Sequence, residues 1–364
     1  MTDLETVIDI AGRFALAAPP TTVVPFGRGH INETYLVSSG LVSSGLASSS
    51  LASTGRGEYV LQSINLDVFA EPDALMENIV TVSDHLATRF MPDLVPRLVA
   101  ETGGGWVVRD GSDVWRAWVR VPSAEPIEQT SLEQVGAAAH LLGRFHAGVA
   151  DLEPARVHDT LPRFHDPIRR LADLRAAIES DPFGRVAGVG AEIDAALAAA
   201  PLAELAADLV GRVPRRVAHN DSKLDNVLFR AGTGAGTGDA VCLVDLDTIM
   251  PTAWFWDVGD LLRSTSAPVA EDDPRTELAV VDAARYQAAL DGYRAGASIA
   301  TPVPAEIEAI EHAGAIVTYE QALRFLTDWI AGDAYYRTTR AVQNLDRARN
   351  QLGLLASMPG TVGR

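Results

Sequence analysis

The stretch Val217-Ala218-His219-Asn220-Asp221-Ser222-Lys223-Leu224-Asp225-Asn226-Val227-Leu228-Phe229, with its echo Val244-Asp245-Leu246-Asp247, decides how the chain is read. Polar residues of distinct chemistry are gathered into one turn and flanked by apolar β-formers. Asp221 and Asn226 are five apart, so one loop can carry a base and then a side-chain amide able to reach a metal. The run Ala240-Val241-Cys242-Leu243-Val244 reads as a strand that ends on a carboxylate, Asp245. A strand that delivers Asp to a polar site is a common way to hold a hard cation. The plain alternative is an Asx-rich turn that satisfies its own backbone. Base, amide and second carboxylate in one register favour the first reading, a catalytic loop and a metal strand for phosphoryl transfer.

The chain holds one lysine, Lys223, against 29 arginines, and that lysine falls inside this loop. Arginine serves wherever a generic surface cation would do. A compact ammonium on a flexible stem differs from a planar guanidinium fork, and phosphate chemistry can require the former. Lys223 therefore joins Asp221 as a candidate catalytic residue.

At 364 residues the chain is long for one core, so two lobes are expected. A net charge of −18 argues against nucleic-acid partners and anionic membrane surfaces, since both need basic surface. An ATP site in that field needs locally placed positive groups and Mg²⁺. The single cysteine, Cys242, allows no intrachain disulfide and suits a reducing cytoplasm. No basic start with a long apolar run and no span of about 18 apolar residues is present, so a cytoplasmic protein is expected.

Along the chain, residues 3–17 predict an amphipathic helix with Leu4, Val7, Ile8 and Phe14 on one side, ended by Pro19 and Pro20. Residues 23–37 predict strand, glycine turn and strand, in which Gly27 and Gly29 would let backbone N–H groups approach phosphates. A plain hairpin turn explains those glycines equally well. Residues 38–57 form a serine- and glycine-rich insert with a five-residue period, read as a mobile loop without chemical role. A third strand returns at Glu58–Ile64, a helix spans 71–89, and two strands follow at 106–109 and 114–121. Pro122 and Pro126 bracket a linker. The predicted boundary makes residues 1–122 a nucleotide-binding lobe and residues 123–364 a catalytic and substrate-binding lobe.

The second lobe opens on a helix with a Ser131/Gln134 capping box and the stripe Leu132, Val135, Ala139, Leu142, His146, Val149. His146 on that stripe reads as a core histidine. Helices are expected near 167–179 and 188–209, then a C-terminal hairpin at 305–331 and 334–356, broken at Gly332-Asp333. Arg324 and Asp328 are i,i+4 partners suited to an intrahelical ion pair.

The H-x-D-x-x-x-x-N arrangement of His219, Asp221 and Asn226, followed by Asp245, resembles the catalytic core of the kinase-like phosphotransferases, a group that includes the aminoglycoside phosphotransferases. In many kinases the third strand carries a lysine for the nucleotide phosphates, where this chain has Gln62. Together with that departure, Gly29-His30-Ile31-Asn32-Glu33-Thr34-Tyr35, Val60-Leu61-Gln62-Ser63-Ile64-Asn65, Ala74-Leu75-Met76-Glu77-Asn78-Ile79 and Asp245-Leu246-Asp247-Thr248-Ile249-Met250-Pro251 resemble the N-acetylhexosamine 1-kinase family from about residue 23 to about 352.

That resemblance implies a bilobal, protein-kinase-like α/β fold, with a small β-rich N-lobe and a larger helical C-lobe. ATP would be the co-substrate and Mg²⁺, or Mn²⁺, the metal, held by Asn226 and Asp245. Gln62 would lie at the nucleotide with Gly27 and Gly29. His30, Asn32, Asp247, Arg324 and Tyr335 would contact substrate, and Asp257 would brace the catalytic loop through backbone N–H groups. The implied acceptor is the anomeric hydroxyl of an N-acetylhexosamine. Another sugar, an amino sugar or an aminoglycoside stays open, as does an inactive nucleotide- or sugar-binding homologue.

Overall fold

The computed structural model describes residues 2–27, 31–40, 57–127, 130–232, 238–298, 300 and 302–360. Two compact units emerge, Met1–Ser83 with Val95–Pro122, and Asp84–Leu94 with Ser123–Arg364. Most of the insert, residues 41–56, lies outside the described residues, as do Gly29 and His30.

The first unit comprises α1 (Leu4–Gly12), β1 (Pro20–Pro25), β2 (Glu33–Ser39), β3 (Gly57–Ser63), most of α2 (Pro72–Thr88), β4 (Leu98–Val99), β5 (Val108–Asp110) and β6 (Asp113–Val119). The antiparallel sheet runs β1-β2-β3-β6-β4, with β5 also on β6. Strand alternation sends Tyr35, Val37, Tyr59, Leu61, Trp115 and Ala117 to one face, where they bury against Val7, Ile10, Ala11 and Phe14. The opposite set, Thr34, Gln62 and Arg116, lies in cross-strand register.

The first helix departs from expectation in length and phase. Asp3 caps it by accepting from the Glu5 and Thr6 amides, and it ends at Gly12, leaving Leu4 and Ile8 exposed. The buried stripe is Val7, Ile10 and Ala11, continued past the helix by Phe14, which bridges to Glu101 as extended chain.

The second unit continues through β7 (Ala124–Glu125), α3 (Leu132–Val149), α4 (Pro167–Ser180), α5 (Gly190–Ala198), α6 (Pro201–Arg212), β8 (Arg216–Ala218), β9 (Val227–Arg230), β10 (Ala240–Leu243), β11 (Met250–Thr252), α7 (Phe255–Ser266), α8 (Ala283–Gly296), α9 (Pro304–Ile330) and α10 (Gln343–Ser357). Its strands form two small sheets, β10-β9-β7 and β11-β8. The end of α2 belongs here, because His85 and Arg89 both pair with Asp151, at 3.0 and 3.1 Å.

The α3 capping box forms as expected, with the Gln134 amide donating to Ser131 Oγ and the Ser131 amide to Gln134 Oε1. Leu132 of the expected stripe is exposed; the others are buried. Backbones of α3 and α8 meet through glycines: a Cβ on Gly292 would lie 2.2 Å from Gly136 O, and one on Gly296 2.1 Å from His140 O. Arg216 grips Glu306 with two bonds, at 2.6 and 3.0 Å, tying β8 to α9.

The C-terminal hairpin also differs from expectation. Its second helix starts at Gln343 instead of 334, because Asp328 accepts from the backbone amides of Tyr335 and Tyr336, at 2.8 and 3.0 Å, and holds them in a turn. Val342, at φ 59°, then sets the start of α10. Among the described residues, no helix is long and apolar enough to cross a membrane.

Candidate active site

The loop after β8 is built from a carboxylate outward. Asp257, in the first turn of α7, accepts from the amides of His219 and Asn220, at 2.8 and 2.6 Å. Its backbone carbonyl accepts from Ser222 Oγ at 2.7 Å. Asn220 adopts φ 67°, a left-handed conformation that Asn tolerates, and its side-chain amide donates to Thr248 O at 2.9 Å and Met250 O at 3.3 Å. His219 is fixed at both nitrogens: Nε2–H donates to Val244 O at 3.0 Å, while Nδ1 accepts from the Asp221 amide at 3.3 Å. Polar groups of the loop, the Thr248 turn and α7 thus interlock on both sides of Asp221.

Behind Asp257 stands His146. Its Nε2–H donates to Asp257 Oδ2 at 2.8 Å, Nδ1 faces the Tyr293 hydroxyl at 3.0 Å, and the ring stacks on Trp254 at 4.5 Å. Burial pushes the imidazole below its ordinary pKa, despite the carboxylate beside it. Burial opposes the Asp257 charge too, yet His146, His219 and the amide it accepts hold that carboxyl below its usual range.

The charged centre is compact. Lys223 Nζ lies 3.0 and 2.8 Å from the two Asp221 oxygens, and the two side chains are 34% and 23% exposed. Asn226 Nδ2 donates to Asp221 O at 2.7 Å and Oδ2 at 2.8 Å. Burial works to raise the Asp221 carboxyl, but the Lys223 ammonium, His219 and the Asn226 amide outweigh it and hold the carboxyl low. Burial likewise opposes the Lys223 charge, and Asp221, Asp245 and Asp260 overcome it and keep the amine protonated well above its usual range.

Asp245 comes to this centre from the neighbouring strand. Leu243 of β10 pairs with Val227 of β9, and the Val244 amide donates to Asn226 O at 2.9 Å. Asp245 then turns left-handed, at φ 63°. Asn226 turns its N–H₂ to Asp221, so its amide oxygen and the Asp245 carboxylate are the groups here that could hold a cation. Two oxygen donors without nitrogen or sulfur suit a hard divalent cation that completes its shell with phosphate and water. Asp247 is 2% exposed, in the turn beneath the loop.

Beside the loop, His165 faces Glu320 Oε2 at 2.8 Å and Asn220 O at 3.2 Å, stacked on Trp256 at 4.7 Å. One turn along α9, the Arg324 guanidinium lies 5.5–5.8 Å from the rings of Phe164, Tyr335 and Tyr336. The expected ion pair with Asp328 does not form, since that carboxylate binds the Tyr335 and Tyr336 amides and Asn344. Burial works against the Arg324 charge, while Tyr336, Glu320, Tyr335 and Asp221 hold the guanidinium above its ordinary range. Tyr335 is 64% exposed.

In the first unit, Gly27 adopts φ 79° with open space where a Cβ would be. Asn32 Oδ1 accepts from the Asn65 amide at 3.0 Å, joining the chain before β2 to the chain after β3. Gln62 has its oxygen 3.1 Å from Arg116 Nε and 2.9 Å from Trp118 Nε1.

The structure therefore brings Asp221, Lys223, Asn226 and Asp245 into one centre, with Arg324 and Tyr335 on a neighbouring wall. Sequence reasoning missed His146 and His165 as supports of the loop. His146 has one sequence signal, a histidine on an apolar helix stripe; His165, between Phe164 and Asp166, has none.

A β-sheet unit followed by a helical unit with this loop defines the protein-kinase-like fold of small phosphotransferases. Residues 22–299 match the phosphotransferase enzyme family (APH), and the chain belongs to that family. An aminoglycoside phosphotransferase from Alicyclobacillus acidocaldarius subsp. acidocaldarius DSM 446 has a similar structure, with a TM-score of 0.63, 16% identity and coverage of 96% of this chain and 94% of that one. A spectinomycin phosphotransferase in complex with ADP and spectinomycin gives 0.61 at 10% identity, covering 97% and 98%. An amicoumacin kinase with AMP-PNP and Ca²⁺ gives 0.61 at 15% identity, covering 99% and 96%. At these identities the likenesses carry the fold.

Proposed function

We propose that this phosphotransferase moves the γ-phosphoryl group of ATP to the anomeric hydroxyl of an N-acetylhexosamine. The observation that carries the acceptor class is Arg324 beside three aromatic rings and within the field of Asp221. A guanidinium fork and aromatic faces suit a neutral, acceptor-rich sugar. A polycationic aminoglycoside would meet like charge there. The sequence words shared with N-acetylhexosamine 1-kinases point the same way, and the nucleotides held by two similar structures support a triphosphate donor.

In this reading Asp221 orients the acceptor hydroxyl and takes its proton as the bond to phosphorus forms. Its low pKa makes it a weak base, which fits a loose transition state in which the proton leaves late. Lys223 releases one Asp221 oxygen to the hydroxyl and meets the transferring phosphoryl group. Asn226 and Asp245 would hold Mg²⁺, which when bound neutralises charge on the phosphate oxygens. Arg324 and Tyr335 hold the sugar. Residues 1–122 form the nucleotide-binding lobe, with Gly27 and Gln62 toward the phosphates and Asn32 nearby, and residues 123–364 form the catalytic lobe; Gly29 and His30, expected at the same site, lie outside the described residues.

The test is a panel of hexosamines, hexoses and aminoglycosides with Mg-ATP, read by ADP release and by NMR of the product. N-acetylglucosamine or N-acetylgalactosamine should yield a 1-phosphate. A 6-phosphate as sole product, or turnover of aminoglycosides alone, would overturn the acceptor assignment.

A further inference from the structure

We infer that Glu271 is a specificity-determining residue for the acceptor: its Oε1 accepts from a hydroxyl or amide N–H of the sugar that Arg324 and Tyr335 hold. The inference rests on the acceptor reading above.

Glu271 lies in the connection between α7 and α8, and packing fixes that connection on two sides. One side is the acceptor wall. Asp272 Oδ2 accepts from Gln343 Nε2 at 2.7 Å, and Gln343 Oε1 accepts from the Thr339 amide at 2.7 Å. Arg340 donates to Asp272 O and pairs with Asp346. The turn that carries Tyr335 and Tyr336 is thereby tied to the residue after Glu271. The other side is the catalytic loop. Ser264 Oγ accepts from the Leu224 amide at 3.0 Å, and the adjacent Arg263 pairs with Glu271 Oε2. Asn350 Nδ2 closes the frame on Ala270 O at 3.0 Å. Glu271 thus stands between the loop of Asp221 and the turn of Tyr335. Burial raises the Asp225 carboxyl and the Tyr336 hydroxyl, and the Glu271 charge adds to the rise in both.

The carboxylate is held by one oxygen and leaves the other for a ligand. Arg263 is 4% exposed, and it gives Nε and Nη2 to Asp260 Oδ1, at 2.9 and 2.8 Å, and Nη1 to Glu271 Oε2. Glu271 Oε1 makes no hydrogen bond among the described residues, and the side chain is 36% exposed. The Arg263 pair orients the side chain before any ligand arrives, which lowers the entropy cost of binding. A carboxylate can only accept and a guanidinium can only donate. Arg324 therefore reads oxygens of the acceptor, and Glu271 reads its O–H or N–H groups. Two readers of opposite polarity leave a sugar fewer ways to lie than Arg324 alone.

Glu271→Gln tests this with N-acetylglucosamine and N-acetylgalactosamine. Because Arg263 can only donate, the new amide must turn its oxygen to Arg263 and present N–H₂ in place of Oε1. A donor then meets a donor. KM for the acceptor should rise about ten- to a hundredfold, with KM for Mg-ATP little changed. Among monodeoxy and desacetamido analogues, one should lose a similar factor with the wild type. For that analogue Glu271→Gln should add little, because the contact is already gone. A Glu271 that only neutralises Arg263 would lower the melting temperature and leave acceptor KM alone. If the Gln variant does not fold, Glu271→Asp enters the same cycle, since it keeps a charge for Arg263 while drawing the carboxylate back. Unchanged acceptor KM in the folded variant, or losses that add fully for every analogue, would overturn the inference. Wild-type protein that phosphorylates no N-acetylhexosamine would instead bring down the acceptor reading, and the inference with it.

Discussion

Lys223 holds its ammonium against both oxygens of Asp221, so its position is set by a point charge at 2.8–3.0 Å. A guanidinium is wider and planar, and cannot place its charge at the same point. A displacement of about 1 Å can cost on the order of a hundredfold in rate. We expect Lys223→Arg to lower kcat by about tenfold or more, with melting temperature and nucleotide affinity changed much less. Steady-state kinetics and a melt decide it, and wild-type turnover would make Lys223 an ordinary cation. His146 gives a second expectation at this scale. Burial lowers its pKa, so the folded chain binds fewer protons than the unfolded chain below the ordinary value of 6.5. Its stabilising contribution is therefore complete above 6.5 and is lost as pH falls from there toward its lower folded value. Asp257, held low, stays charged through that window, and Tyr293, pushed high by burial, stays neutral. Melting curves from about pH 7 to about pH 5 should lose less stability in His146→Asn than in wild type. Parallel curves would refute the assignment.

Helix α8 reaches the active loop through two kinds of contact. Its glycines let it lie against α3, and its Tyr293 hydroxyl meets His146 behind Asp257. A methyl at Gly292 would lie 2.2 Å from a backbone oxygen, which has no rotamer by which to move aside. Overpacking of this sort costs about 1–3 kcal/mol. Gly292→Ala should then lower the melting temperature by roughly 3–10 °C, with kcat falling as Tyr293 shifts. An unchanged melt would show that the two helices tolerate separation. The α9–α10 connection follows a different rule. Asp328, 6% exposed, binds two backbone amides and Asn344 in place of Arg324. Three charge-assisted hydrogen bonds satisfy the buried carboxylate, and this choice leaves Arg324 to face the aromatic rings.

For the molecule as a whole, a net charge of −18 works against an anionic co-substrate. Local cations and a bound divalent ion have to offset that field. Chelation should abolish turnover, and Mg²⁺ or Mn²⁺ should restore it, because Asn226 and Asp245 offer oxygen alone. Asp245→Asn should abolish turnover with the fold intact by thermal melt. Near-normal rate in that variant at saturating Mg²⁺ would remove Asp245 from the metal site.

By itself the sequence determined the fold class and which polar residues the loop gathers. Asp221, Lys223 and Asn226 lie within one turn, so their mutual bonds depend on local geometry that spacing can express. The Ser131 cap and the strand alternation are legible for the same reason. Only the tertiary structure decided which polar groups support that loop. His146 meets Asp257 across 111 residues, and His165 meets Glu320 across 155. Arg116 meets Gln62 across 54, through a strand register that no local pattern states. The helix stripe correctly marked His146 as buried, but burial says only that a partner must exist. Which partner is settled when the helices pack, because a buried polar group takes the hydrogen bond that packing brings within 3 Å or so.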